Sequence, residues 1–143
     1  MNTDKLYKNA LKGCRNTKHR QEIIETLKLF EVPATAEDIY AMFKYLKSSI
    51  SMSTIYRNLE MLTDKGIVIK TIMMDDNKAR YELNREVDKH YIICVKCNKI
   101  FPIDHCPIDK IDKNLLNSTG FEITGHKFEI YGYCPDCKKQ KPE

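Results

Sequence analysis

No apolar run in the 143-residue sequence approaches the roughly 20 residues that span a bilayer. Met1 to Lys12 lacks a continuous apolar stretch, so no secretory signal is visible and a cytoplasmic protein is expected. No internal repeat or low-complexity segment appears, which excludes a repeat architecture. No nucleophile stands in pattern with a base, so enzyme catalysis has no support. In a reducing compartment disulfides are not the default, and cysteines point instead to metal ligation or redox chemistry.

A content of 42% hydrophobic and 31% charged residues suits a globular chain of one ordinary domain or two small ones. The net charge of +4 decides little, but its distribution is uneven. Residues 1–20 carry Lys5, Lys8, Lys12, Arg15, Lys18 and Arg20 against the single acid Asp4. That excess fits either a solvated face or an arm lying along a phosphate backbone.

The two halves differ in texture. Five of the six cysteines and three of the four histidines follow residue 89. A charged stretch without Gly or Pro, Asn84 to Lys89, reads as a short hinge between residues 1–84 and 85–143.

In the first half, a helix is predicted from Thr3 to Gly13, with Gly13 as its cap. Thr17 caps a second, whose Ile23, Ile24, Leu27 and Phe30 follow helical spacing until Pro33. Thr35 caps a third, with a buried stripe of Ile39, Met42, Phe43 and Leu46. Ser51 or Ser53 caps a fourth, with Ile55, Leu59 and Leu62 inward and Gly66 as its stop. Two β-prone runs, Ile67–Met73 and Ala79–Leu83, flank Asp75-Asp76-Asn77 and predict a hairpin.

Compact helices followed by a hairpin make a winged helix-turn-helix, with the fourth helix reading DNA. Its outer face offers Ser53, Thr54, Tyr56, Arg57 and Asn58. Arg suits guanine edges or phosphate, Asn suits adenine, and Tyr or Ser can bond phosphates. Arg15, Lys18 and Arg20 join this set as backbone contacts. The plainer reading is the polar face that any amphipathic helix carries.

Cys94-Val95-Lys96-Cys97 and Cys134-Pro135-Asp136-Cys137 are two C-x-x-C turns separated by 36 residues. Each turn lets two sulfurs approach one ion, and together they supply the four thiolates of a tetrahedral zinc site. A rubredoxin-like iron site, disulfides and free thiols use the same residues. Zinc held this way contributes folding energy on the order of 10 kcal/mol. The intervening residues are expected to form a strand, a helix and a returning strand. Cys14 and Cys106 fall outside the pattern and read as packing residues, although Asp104-His105-Cys106-Pro107 is a stretch that can ligate metal. Asp88, His90, Asp109 and His126 offer a second donor set, with the two histidines on presumed strands. Two imidazoles with one or two carboxylates can hold zinc reversibly, whereas a single His or Asp is more often a surface residue.

These residues resemble the ferric uptake regulator (Fur) family, and its zinc-responsive (Zur) branch most closely. The resemblance rests on Asn16 to Arg20, Thr35 to Tyr40, Ser53 to Leu59, Gly66-Ile67 and Arg80 to Leu83. It continues through Ile93 to Cys97, Cys106 to Lys110, and Gly125 to Cys137. It implies an α+β fold, with an N-terminal winged helix-turn-helix DNA-binding domain and a C-terminal α/β dimerisation domain with a four-cysteine zinc site. It implies a homodimeric repressor of metal-homeostasis genes that binds a palindromic double-stranded operator when metal-loaded. Tyr56 and Arg57 match the family's recognition positions. Cys94, Cys97, Cys134 and Cys137 match its structural Zn2+ site. Asp88, His90, Asp109 and His126 match a further divalent-metal site, with Zn2+ favoured and Fe2+ admitted.

The family's usual hinge sensor is depleted. Pro33, Lys89, Tyr91 and Pro102 stand where its ligands belong, and only Glu82 remains. A rebuilt site would draw on Glu82, His90, His105 or Cys106. Peroxide sensing at a His-rich iron site is disfavoured by the same losses. Metal is expected to favour the state whose recognition helices are spaced for successive major grooves. The competing expectations are a Fur-like protein whose degenerate sensor leaves DNA binding metal-independent or under another metal, and an iron–thiolate electron carrier.

Overall fold

The computed structural model describes residues 5, 7, 8, 11–13, 18–73, 77–111 and 113–140, the side chain of Asp109 excepted. Cys14, Arg15, Thr17 and the turn residues Asp75 and Asp76 lie outside that set. Two compact units divide the chain, Met1–Glu86 and Val87–Glu143. The division falls within the stretch Asn84 to Lys89, two residues after the boundary drawn at residue 84. Asn84 is held to the first unit through its N–H to the Ile67 carbonyl and its amide to the Gly66 carbonyl.

Within the first unit, the described residues Lys5, Tyr7 and Lys8 are helical and Gly13 has φ +85°, as a left-handed cap requires. Helix α1 follows, Lys18–Leu27, burying Ile23, Ile24 and Leu27. It stops short of Pro33, and Phe30 packs against the core from the turn beyond. Thr35 opens helix α2, Ala36–Tyr45, through a reciprocal cap. The Asp38 N–H donates to Thr35 Oγ1 at 3.1 Å, and the Thr35 N–H donates to Asp38 Oδ2 at 3.0 Å. Ile39 and Phe43 are buried, Met42 half-buried, and Leu46 is 53% exposed. The predicted stripe ends early because the helix stops at Tyr45 and Leu46 becomes its C-cap.

Ser51, rather than Ser53, caps helix α3, Met52–Asp64, by accepting the Thr54 N–H at 3.2 Å. Ile55, Leu59 and Leu62 are fully buried against the other helices, and Gly66 (φ +73°) reverses the chain. A two-residue strand β1, Ala34–Thr35, precedes α2. Strands β2, Val68–Ile72, and β3, Ala79–Leu83, form the wing. Strand β1 pairs with Tyr81 and Arg80 of β3 and completes an antiparallel sheet ordered β1–β3–β2. Two residues are too few to show alternation, so the sequence pattern gives no sign of β1. Lys70 Nζ lies 2.9 Å from Glu60 Oε1, and the Tyr81 hydroxyl donates to the same oxygen. The Lys70 hydrogen bond holds the Glu60 carboxyl below its ordinary range.

In the second unit, β4, His90–Cys94, is central. It pairs antiparallel with β5, Ile100–Ile103, and parallel with β6, Glu129–Gly132. A 3-10 turn, Pro107–Lys110, and a short helix α4, Lys113–Asn117, lie between β5 and β6, where the sequence predicts one helix. Helix α5, Pro135–Lys138, follows β6. His126 precedes β6 rather than lying on a strand. Among the described residues, no helix is long and apolar enough to cross a membrane.

The cap and the core give separable stability effects. Thr35→Ala is expected to cost about 1 kcal/mol. Leu59→Ala is expected to cost about 2–5 kcal/mol, because α3 then faces a cavity. Urea unfolding of the two variants beside the parent chain measures both.

Candidate metal centres and recognition helix

Two donor clusters form in the second unit, and strand register creates both. The β4–β6 pairing sets Cys94 beside Gly132, so the second cysteine turn emerges two residues past the end of the first strand. The Val95 N–H donates to the Gly132 carbonyl at 2.9 Å and locks that junction. The first turn closes through Asn98 N–H to the Cys94 carbonyl, with Asn98 at φ 61°. In the second, Cys134 is the N-cap of α5 and Cys137 lies within it.

The sulfurs of Cys94, Cys97, Cys134 and Cys137 all lie within 4.8 Å of one another. Cys97 and Cys134 are 3.8 Å apart, far from the roughly 2.05 Å of a disulfide. Sulfurs about 2.3 Å from a tetrahedral ion stand about 3.8 Å apart, so the four residues fit a zinc-type site. Cys94, Cys134 and Cys137 are buried and Cys97 is exposed. The Cys134 N–H points at Cys94 Sγ from 3.3 Å and is the first cause that lowers the Cys94 thiol to about 6, with the Cys97 N–H next. Burial, followed by the neighbouring sulfurs, pushes Cys137 up to about 12. Four thiolates crowded together repel, and a divalent cation removes that conflict.

The second cluster contains His90, Cys106 and His126. Antiparallel pairing sets His90 opposite Ile103, which places Cys106 three residues past that partner. Parallel pairing sets Tyr91 beside Glu129, so His126 arrives three residues before it, level with Asp88. His90 Nε2 lies 3.2 Å from both Cys106 Sγ and His126 Nε2, and Cys106 Sγ lies 3.1 Å from His126 Nε2. Asp88 Oδ2 is 3.7 Å from His126 Nε2, with the Asp88 side chain 65% exposed. Phe128 packs beside both imidazoles.

Donors about 2.0–2.3 Å from a tetrahedral ion stand about 3.3–3.6 Å apart, a few tenths of an ångström wider than this triangle. The two Nε2 atoms face each other at 3.2 Å, where one N–H can donate to the other's lone pair or both lone pairs can face a cation. Cys106, which the sequence pattern reads as a packing residue in a stretch that can ligate metal, has its sulfur at the third corner of this triangle. The register of three strands brings it there, and no local spacing signals that. Asp88, His90 and His126 gather as the sequence suggests, the Asp109 side chain lies outside the described set, and His105 is exposed.

On α3, Ser53, Tyr56 and Arg57 are exposed, and Thr54 and Asn58 are half-buried. The Tyr56 hydroxyl donates to Glu37 Oε1 at 3.1 Å, and partial burial and that carboxylate raise its pKa. The Asn58 amide donates to the Thr54 carbonyl of its own helix at 2.8 Å, which occupies one of its donors. Lys18 is exposed at the start of α1, near Glu22, and Arg20 is half-buried. Arg15 lies outside the described residues.

Residues 11–131 match the model of the ferric uptake regulator family. The peroxide-responsive repressor PerR of Staphylococcus epidermidis is 35% identical over 128 residues, covering 90% of this chain and 84% of its own. A structure of the ferric uptake regulator from Francisella tularensis with iron is 32% identical, with a TM-score of 0.72 over 88% of this chain and 96% of that one. The Vibrio cholerae ferric uptake regulator is 25% identical, with a TM-score of 0.77 over 93% and 100%. This chain belongs to the ferric uptake regulator family, a family of transcription regulators and not of enzymes.

Proposed function

We propose that this chain is a zinc-responsive repressor that binds a palindromic operator as a homodimer. The four-cysteine cluster holds a structural zinc, and the second cluster holds the regulatory one. The convergence of His90, Cys106 and His126 carries the reading. Two imidazoles and a thiolate, with Asp88 nearby, favour zinc over the oxygen-rich sets that suit manganese or magnesium. Of the relatives named above, one is a peroxide-responsive repressor and one is a structure with iron, so the assignment to zinc rests on this donor chemistry. All these donors belong to the second unit, so the metal acts there by tying the start of β4 to the segments after β5 and before β6.

Members of this family bind DNA operators as dimers. An apolar row supports the dimer here: Ile92 pairs in register with Phe101 on one side and Ile130 on the other, and all three are exposed. A second copy covering that row removes apolar surface from water. The reading head is α3, with Ser53, Tyr56 and Arg57 outermost, Thr54 and Asn58 beside them, and Arg15, Lys18 and Arg20 as phosphate contacts.

Operator binding measured by fluorescence anisotropy at fixed salt tests the reading. Withdrawing the exchangeable zinc is expected to weaken binding by a coupling of about 1–3 kcal/mol. His126→Ala is expected to lose that response with the fold retained. Affinity indifferent to zinc in the parent chain would instead leave a constitutive DNA-binding protein. Arg57→Ala is expected to cost about 1–3 kcal/mol and relax specificity at one base pair; a uniform loss with a shallower salt slope would assign Arg57 to phosphate. Ile92→Asp is expected to shift sedimentation from dimer to monomer, and an unchanged dimer would move the interface elsewhere.

A further inference from the structure

We propose that Cys106 makes the second metal site releasable by two-electron oxidants, so that peroxide relieves repression by oxidising one ligand. This rests on the reading of that cluster as the regulatory zinc site. The observation is the mixed donor set. Among the described residues, two clusters of metal-ligand type occur, and they differ in kind. One consists of four sulfurs drawn from two closed turns. The other has a single sulfur between two imidazoles.

Imidazole nitrogen and carboxylate oxygen resist mild peroxide, whereas a thiolate is attacked by it. The oxidisable function of the second cluster therefore sits on one atom. Cys106 is half-buried, and Asp88 on the same cluster is largely exposed, so a small oxidant can approach from that side.

The chemistry balances without a further reactant. The Cys106 thiolate attacks one oxygen of hydrogen peroxide, forming an S–O bond as the O–O bond breaks. Sulfur gives up two electrons, and the departing hydroxide takes a proton and leaves as water. The product is a sulfenic acid, neutral and a poor zinc donor. What remains is two neutral imidazoles and an exposed carboxylate. Loss of an outer-shell partner alone costs about 10–100-fold in metal affinity, so loss of a direct anionic donor costs at least that much. Sulfenic acid is reversible: a thiol condenses with it, expelling water, and a second thiol displaces the mixed disulfide to restore Cys106.

The competing target is Cys97, the exposed member of the four-cysteine cluster. Oxidation there would also release zinc, but at the expense of the fold of the unit. The two cases separate by where the oxygen lands and by whether the structure survives.

The test uses the full-length zinc-loaded chain, hydrogen peroxide, a zinc indicator and a sulfenate trap read by peptide mass. The expected result is trapping on the Cys106 peptide, release of the second-site zinc, unchanged circular dichroism and a roughly 5–150-fold loss of operator affinity. An added thiol is expected to restore Cys106. Cys106→Asp and Cys106→His each keep a donor that peroxide does not attack. Whichever of them loads zinc is expected to retain metal and operator through the same exposure. Trapping on Cys97 with loss of structure, or equal zinc release from the substituted chains, would overturn the inference. Failure of the parent chain to take up any zinc beyond the four-cysteine site would overturn the regulatory reading beneath it, and that is read before oxidant is added.

Discussion

Strand β4 is the constraint on which the second unit depends. It is five residues long and hydrogen-bonded on both edges, antiparallel to β5 and parallel to β6. His90 stands at one end and Cys94 at the other. At about 3.3 Å per residue, those ends are about 13 Å apart. Each end collects donors from the neighbouring strands: Cys106 and His126 at the start, Cys134 and Cys137 at the finish. A one-residue slip of β6 against β4 would turn its side chains to the opposite face and move His126 and Cys134 together. Both clusters therefore depend on one register, and an ion at either end reinforces the pairing that forms the other.

The first unit carries the opposite balance. Its core is a conventional apolar one, with Ile23, Ile39, Phe43, Ile55, Leu59 and Leu62 buried among three helices and a sheet. Polar groups there finish elements rather than build a site: Thr35 with Asp38, Ser51 with Thr54, and Glu60 with Lys70 and Tyr81. That arrangement leaves the outer face of α3 exposed, since Ile55, Leu59 and Leu62 anchor the helix from its inner face. The Tyr56 hydroxyl donates to Glu37 of the preceding helix, which ties the outer face of α3 to α2.

Local chemistry is legible in the sequence, and long-range register is not. Thr35, Ser51 and Gly66 declare helix boundaries because capping is a matter of a few adjacent residues. The paired cysteines declare a four-sulfur cluster because each turn is complete in four residues. The hairpin is readable from two β-prone runs, but β1 is too short to signal, and Leu46 is assigned inward by a period that outlasts the helix. Cys106 shows the limit most clearly. It meets His90 across 16 residues and His126 across 20, and both separations are set by which strand lies beside which. Sequence spacing carries no such information. A preference for packing at a lone cysteine is the reasonable expectation, and only register brings its sulfur to the two imidazoles.

The size of the second unit explains why its donors matter so much. Among the described residues of Val87–Glu143, the buried apolar positions are Tyr91, Ile93 and three of the four clustered cysteines. Domains below about 70–80 residues seldom gain more than about 3–5 kcal/mol from a single apolar core, and this core is smaller than most. On the reading proposed above, ions and a partner surface meet that deficit. A divalent ion such as zinc, held by the four-cysteine cluster, would supply folding energy that so small a core does not. The exposed row of Ile92, Phe101 and Ile130 would become interior under the second copy proposed above. Folding, metal occupancy and dimerisation are then one linked equilibrium rather than three separate ones. On the reading proposed above, a ligand lost from the second cluster loosens the tie between the start of β4 and the segments that flank it, in the unit where the smaller core leaves least to compensate.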